Sequence, residues 1–161
     1  HLAQCVLSGD ATNAGEFTGL DNYAGVPTVD AGSAALTNWG PIIDAYESLL
    51  SKNVNKENIA AVVSPAVWSQ IARFTGSDNH PINMPKELEG LRMIVSSAVA
   101  DTYGAGSDES RIYIGDWSQM FLGVSGNFEM TLNERFADFD MTGLLLLTRA
   151  DMQIFDEEAM T

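Results

Sequence analysis

Few side chains in this sequence could carry chemistry: it holds two histidines, one cysteine and a large excess of acids. A catalytic dyad or an imidazole-based metal site would have to use His80, since His1 is the only other histidine. His80 opens the loop His80-Pro-Ile-Asn-Met-Pro85, and that setting reads as a loop histidine and not as a ligand or base. Cys5 stands alone, so neither an internal disulfide nor a cysteine-rich zinc site can form. Gly9-Asp-Ala-Thr-Asn-Ala-Gly15 has the glycines of a phosphate loop. It is followed by Glu16, where Lys-Ser/Thr would have to supply the charge that holds phosphate. Asp101, Asp108 and Glu109 flank a glycine-bearing loop, but their spacing is not that of an EF-hand. Ser8, Ser64 and Ser125 do not sit in Gly-x-Ser-x-Gly elbows. Paired carboxylates for glycoside hydrolysis are defined by their distance in space, and nothing in the sequence singles out a pair. No catalytic, cofactor-binding or metal-ligating residue is assigned, and no cofactor is expected.

Charge and composition narrow the classes further. Twenty-two acids against eight bases leave a net charge of −14. Such a field repels phosphate backbones, so specific nucleic-acid readout is not expected. The acids are scattered, with the densest clusters at Asp108-Glu109 and Asp156-Glu157-Glu158, which reads as a solvated surface. Apolar residues are 45% of the chain, with three Trp, four Tyr and seven Phe, too many for a disordered tail. The longest aliphatic run, Leu144 to Leu147, is far short of the ~20 residues of a spanning helix, so no membrane partner is expected. A chain of 161 residues fits one domain that buries roughly 70% of its unfolded surface.

The elements that would position these residues follow from periodicity. Leu2, Cys5 and Val6 fall at i, i+3, i+4, as in the last turns of a helix stopped at Gly9. A helix starting on the first residue reads as the end of a longer one, so the chain is expected to be a fragment or a processed product. Residues Gly9 to Gly40 carry turn signals at Gly15, Gly19, Asn22, Gly25-Val-Pro27 and Gly32, and predict a long irregular segment with room for short strands. Pro41 can open a helix whose buried face is Ile42, Ala45, Tyr46, Leu49 and Leu50. Ile59 to Val63 is a buried-strand pattern, followed at once by Ser64 as N-cap and Pro65 in the first turn of a helix. Trp68, Ile71 and Ala72 are expected to form that helix's buried face against the strand. Leu91 to Ser96, Arg111 to Ile114, Met120 to Val124 and Phe128 to Leu132 read as strands, and Met141 to Phe155 as one long strand. Beyond the opening turns the count is two helices and five or six strands, with no internal repeat. The class is α+β.

The order of motifs resembles that of the major capsid proteins of tailed phages, which share the fold of the Hong Kong ninety-seven phage shell. Carrying the resemblance are Leu88-Glu-Gly90-Leu-Arg-Met-Ile-Val-Ser-Ser, Ile112-Tyr-Ile-Gly-Asp-Trp117, Phe139-Asp-Met to Thr148-Arg149-Ala-Asp151, and Glu158-Ala159. Upstream, Val63-Ser-Pro-Ala-Val-Trp68 is similar to that family's strand and Asn-Pro-x-x-Trp helix start. Leu7-Ser-Gly-Asp10 with Phe17-Thr-Gly-Leu20 is similar to its Gly-Asp-Gly and Pro-Thr-Gly-Ile/Leu segment. Ser64, Ala11 and Phe17 depart from the usual Asn, Gly and Pro.

The resemblance implies the C-terminal portion of such a protein: an axial domain plus part of the peripheral domain. Residues 1–40 would hold the end of the spine helix and an irregular connection, 41–125 the axial domain, and 126–161 the return strands of the peripheral domain. It implies a non-enzymatic structural subunit that assembles with capsomer neighbours into hexamers and pentamers of an icosahedral phage or prophage shell around the genome. Thr75 to Pro85 and Asp101 to Ser110 are the loops expected to approach those neighbours. In the full-length protein it implies scaffold, protease and portal partners, and a place in the virion after assembly in the host cytoplasm. The N-terminal arm, extended loop and most of the spine helix would lie upstream, so the chain alone is expected to fold without closing a shell. Some members join subunits by a Lys–Asn isopeptide bond; the matching position here falls at about Asp140, with neither Asn127 nor Asn133 aligned, which implies a shell without that link. Two other readings are an encapsulin-like bacterial compartment shell, which shares the fold, and an unrelated small enzyme or binding module.

Overall fold

In a computed structural model of the chain, the structure describes residues 2–11, 16–31, 36–52, 54–76, 78–104, 106, 109–126, 129–133 and 143–161. Three α-helices and seven strands lie among them. The organising element is strand β1, Ile59–Val63. It pairs in parallel with β2, Arg92–Val95, and antiparallel with β3, Ile112–Asp116. Because neighbours cover both of its faces, β1 needs apolar residues at every position, which is why it reads as an unbroken run. Ile59, Ala61 and Val63 point into one apolar cluster with Ile114, while Val62 packs with Tyr113 against a second cluster on the opposite face. The register Ala61↔Ile114 and Val62↔Tyr113 puts those partners side by side.

The first cluster is closed by two helices. Helix α2, Gly40–Ser51, begins with Pro41 in its first turn and buries Ile42, Ala45, Tyr46 and Leu49, as the periodicity predicts; Leu50 is half-buried. Helix α3, Pro65–Ile71, is capped by Ser64, whose Oγ accepts a hydrogen bond from the Val67 amide at 3.2 Å. Its buried stripe is Val67 and Ile71, continued by Phe74 beyond the helix. This corrects the expected face: Trp68 is 42% exposed and Ala72 is exposed. Both stripes have helical spacing and share Ile71. The i, i+4, i+7 set wins because Phe74 continues it into an edge-to-face contact with buried Trp39, ring centroids 5.4 Å apart.

The second cluster joins the ends of the chain. Helix α1, Leu2–Ser8, buries Cys5 and Leu7, with Val6 packed alongside. Leu2, expected on that face, is instead exposed. The helix stops at Gly9 as predicted, its amide bonded to the Cys5 carbonyl at 2.9 Å. A Cβ on Gly9 would lie 2.5 Å from the Phe17 carbonyl oxygen, so the close approach of the following segment requires glycine there. That segment carries one short 3-10 turn, Leu20–Asn22, and no strand among its described residues. At the other terminus, Met160 is fully buried, and Thr161 exchanges two backbone hydrogen bonds with Ile114, at 2.6 and 2.7 Å, along the outer edge of β3.

The expected single strand over Met141 to Phe155 is two strands in two sheets, and residues 141–142 lie outside the described residues. Strand β6, Gly143–Leu147, pairs antiparallel with β5, Glu129–Asn133. Strand β7, Ala150–Ile154, pairs antiparallel with β4, Met120–Val124. The pattern changes at the break: four consecutive leucines precede Thr148-Arg149, whereas β7 alternates and buries only Met152 and Ile154.

Candidate functional site

Two kinds of feature stand out as functional: apolar surface left uncovered, and one polar cluster that ties distant segments together. Uncovered apolar surface is concentrated on the strands. On β4, Phe121, Leu122 and Val124 are all exposed, and Phe155, at 70% exposure, stands edge-to-face on Phe121 with ring centroids 4.6 Å apart. The sequence of β4, Met-Phe-Leu-Gly-Val, is apolar on both faces, yet only Met120, opposite Ile154, packs on the second cluster. Met130 and Leu147 are exposed on the β5–β6 ribbon, and Ile94 and Val95 on the edge strand β2. Two-stranded ribbons of this length are marginal in water, and exposed apolar strand surface marks a place where another surface docks.

The polar cluster centres on Asp21, in the 3-10 turn. Its Oδ1 accepts from the Tyr113 hydroxyl at 2.8 Å and pairs with Arg111 Nη1 at 2.7 Å, and its Oδ2 accepts from the Tyr103 hydroxyl. The Arg111 guanidinium also lies over the Tyr103 ring, 4.1 Å from its centroid. Only 5% of the Asp21 side chain is exposed, so these donors replace the water that the carboxylate gives up. Burial, then the contact with Tyr103 and the charge of Asp21, push the Tyr113 phenol far above the ordinary tyrosine range. Burial and the Asp21 hydrogen bond raise that of Tyr103 as well. For Arg111, burial works to lower the guanidinium pKa, but the Asp21 hydrogen bond and charge outweigh it and the shift is upward. The cluster borders a cleft of about 860 Å³ between the Tyr23–Ala31 segment, α2, α3 and β3.

Among the described chemical candidates, Asp101 and Glu109 both line that cleft. His80 is exposed in a loop closed by the Thr75–Pro81 bridge. Asp101 is exposed, Glu109 is half-buried, and Asp108 lies outside the described residues, as do His1, residues 12–15, Asn127 and Asp140. Ser8 Oγ bonds the Gln4 carbonyl, Ser64 caps α3, and the Ser125 amide extends the β4–β7 ladder to the Arg149 carbonyl. Among the described residues, no group of three or more His, Cys, Asp or Glu side chains is placed to hold a metal ion. No sequence pattern marks the Asp21 cluster. Its tyrosines lie 82 and 92 residues from the acid, and no local motif joins them.

Comparison with known proteins completes the picture. No curated protein matches the chain. Among solved structures, the protein of Gordonia phage Cozz superposes with a TM-score of 0.72 at 18% identity, over 99% of this chain and 56% of that one. The capsid of an empty GTA particle gives 0.68 at 14%, over 98% and 58%, and Mycobacterium phage Ogopogo 0.67 at 16%, over 99% and 61%. At such identities the likeness is one of fold, and the chain spans less than two thirds of the length of each. The model of the phage capsid family matches residues 2–161, and on that match the chain belongs to the phage capsid family.

Proposed function

We propose that the chain forms part of a structural subunit of an icosahedral phage or prophage shell, assembling with copies of itself into hexamers and pentamers that enclose the genome. The observation that carries this reading is the family match over residues 2–161. The apolar strand surface around Phe121 and Phe155, exposed among the described residues, supports it. A phage capsid model over the whole chain also favours a phage shell over a bacterial compartment shell, and a shell subunit over a small enzyme.

A shell subunit works through repeated contacts and needs no active site. A charge of −14 is compatible with that role, because a container reads no base edges. In this reading residues 1–40 end the spine helix and connect it, 41–125 form the axial domain, and 126–161 return to the peripheral domain. Helix α3 and the β2-β1-β3 sheet fall within 41–125, and α2 does so from its second residue on, which favours the division; β4 lies before the second boundary and pairs across it with β7. Scaffold, protease and portal proteins are the partners proposed for the full-length protein, with assembly in the host cytoplasm and a final place in the virion. No helix among the described residues is long and apolar enough to cross a membrane.

The test is to express the full-length reading frame that contains this chain and examine it by electron microscopy and sedimentation. Closed particles of uniform diameter are expected, and only low-mass species across salt and protein concentration would refute the reading. Because Asp140 stands at the position implied for the linking asparagine, denaturing gels of those particles should show a single subunit band; a ladder of multiples would contradict it.

A further inference from the structure

We propose that the outer edge of β3 at Ile112 docks an extended, basic peptide segment of another protein, which adds a strand inside the cleft. Thr161 exchanges both of its backbone hydrogen bonds with Ile114, so the Ile114 N–H and C=O point away from β1. Backbone groups along a strand alternate between its two sides, so those of Ile112 point outward as well. Among the described residues neither has a hydrogen-bond partner. Ile112 is therefore the next rung of the ladder that Thr161 begins, and that rung is empty. Its side chain is half-buried, a setting in which backbone polar groups are ordinarily paired.

The surroundings of this rung say what would fill it. The edge of β2 is open too, but Arg92 stands exposed at its start, a charge that discourages strand addition. Ile112 instead lines the cleft of about 860 Å³, within the range of ligand sites. A peptide residue opposite Ile112 points its side chain to the same side, toward the first apolar cluster, where Ile42 and Val67 line the cleft. The residues before and after it point to the side of Arg111 and Tyr113. The described walls carry four carboxylates, Asp21, Asp30, Asp101 and Glu109, against one cation, Arg111. An apolar side chain flanked by Lys or Arg thus matches the edge in shape and charge, while main-chain pairing supplies affinity. The site is a property of the isolated chain; it does not rest on the shell reading and is tested without assembly.

The experiment is amide hydrogen exchange by NMR on the 161-residue chain, with the blocked peptide acetyl-Val-Lys-Val-Lys-Val-amide as probe. In the free chain the Ile112 amide should be among the fast exchangers. With a Kd of about 0.1 mM, about 1 mM peptide should slow it about tenfold. A peptide methylated on all three valine nitrogens keeps its charge but loses the donors for the rung, and should slow it less than about twofold. Replacing both lysines by glutamates should have as little effect. The Val95 amide is the control: the Ser96 amide bonds the Val63 carbonyl at 2.9 Å, so that of Val95 faces the open edge of β2, and it should stay unchanged. An unchanged Ile112 amide, equal slowing by the methylated peptide, or slowing at Val95 in place of Ile112 would each overturn the site. Protection of Ile112 that grows with protein concentration and needs no peptide would give the edge to a second copy and overturn it as well.

Discussion

Replacing Ser64 with alanine should destabilise the chain by about 2.5–3 kcal/mol. The Ser64 hydroxyl caps α3 through the Val67 amide at 3.2 Å and accepts from Ser110 Oγ at 2.9 Å. Loss of an N-cap costs about 0.5–2 kcal/mol, and the upper end applies where no water can take over the orphaned donor. Ser64 is 1% and Val67 4% exposed, so about 2 kcal/mol is expected from the cap alone. Ser110 loses one partner and keeps the other, the Ala100 carbonyl at 3.2 Å, which adds about 0.5–1 kcal/mol. With a urea slope of about 2 kcal/mol/M, the unfolding midpoint should fall by about 1.3 M at unchanged slope. Ser110→Ala alone should lower it by less than half as much. The double variant should fall short of the sum by about 0.5–1 kcal/mol, because the two hydroxyls share one bond. A midpoint shift below about 0.3 M for Ser64→Ala would show that α3 does not depend on this cap, and the reasoning would fail.

Ile71→Ala should cost about 2–4 kcal/mol and Trp68→Ala under about 1, measured by urea unfolding; the reverse order would restore the stripe expected from periodicity. At high pH the raised phenols of Tyr113 and Tyr103 keep their protons in the folded chain while unfolded tyrosines lose theirs near pH 10. The contribution of these tyrosines should therefore be constant below about pH 9 and fall as pH rises beyond about 10; Tyr113→Phe should flatten that fall, and an unchanged slope in the variant would contradict the assignment. Gly115→Ala would put a Cβ 2.3 Å from Met160 Sδ and 2.9 Å from the Ala159 carbonyl oxygen. It should cost about 1–3 kcal/mol and strip hydrogen-exchange protection from Thr161, whereas a protected Thr161 amide would show that the terminal residues are held elsewhere.

What sequence patterns reveal here is local. The face of α2 needs only its own spacing, and the Ser64-Pro65 junction specifies both a strand end and a helix start within two residues. β1 is legible as doubly buried because all five of its residues are apolar. Trp68 misleads because two stripes with helical spacing share Ile71, and the choice rests on Trp39, far upstream. The break at Thr148-Arg149 is hidden because β6 and β7 are both rich in apolar residues and differ only in what they pair with. Asp21 is silent for the same reason: a buried carboxylate between two phenols and a guanidinium is made by packing, and its members lie in separate segments. The order of motifs carries the resemblance to the family, whereas the exposed strand surface around Phe121 and Phe155 depends on strand pairing that no local pattern encodes.

The seam between Ile114 and Thr161 has a consequence for synthesis on the ribosome. Ile114 leaves the peptidyl-transferase centre 47 residues before Thr161, the difference of their sequence positions. At about 5–20 residues per second, roughly 2–10 s pass in which β3 has an open edge and the cavity destined for Met160 is unfilled. Until then Tyr113 lacks the cover of Met160, and Ile114 the pairing of Thr161. The open edge of β3 is thus prone to pair with other chains until Met160 and Thr161 dock, and a chain cut off before Met160 would keep that edge open.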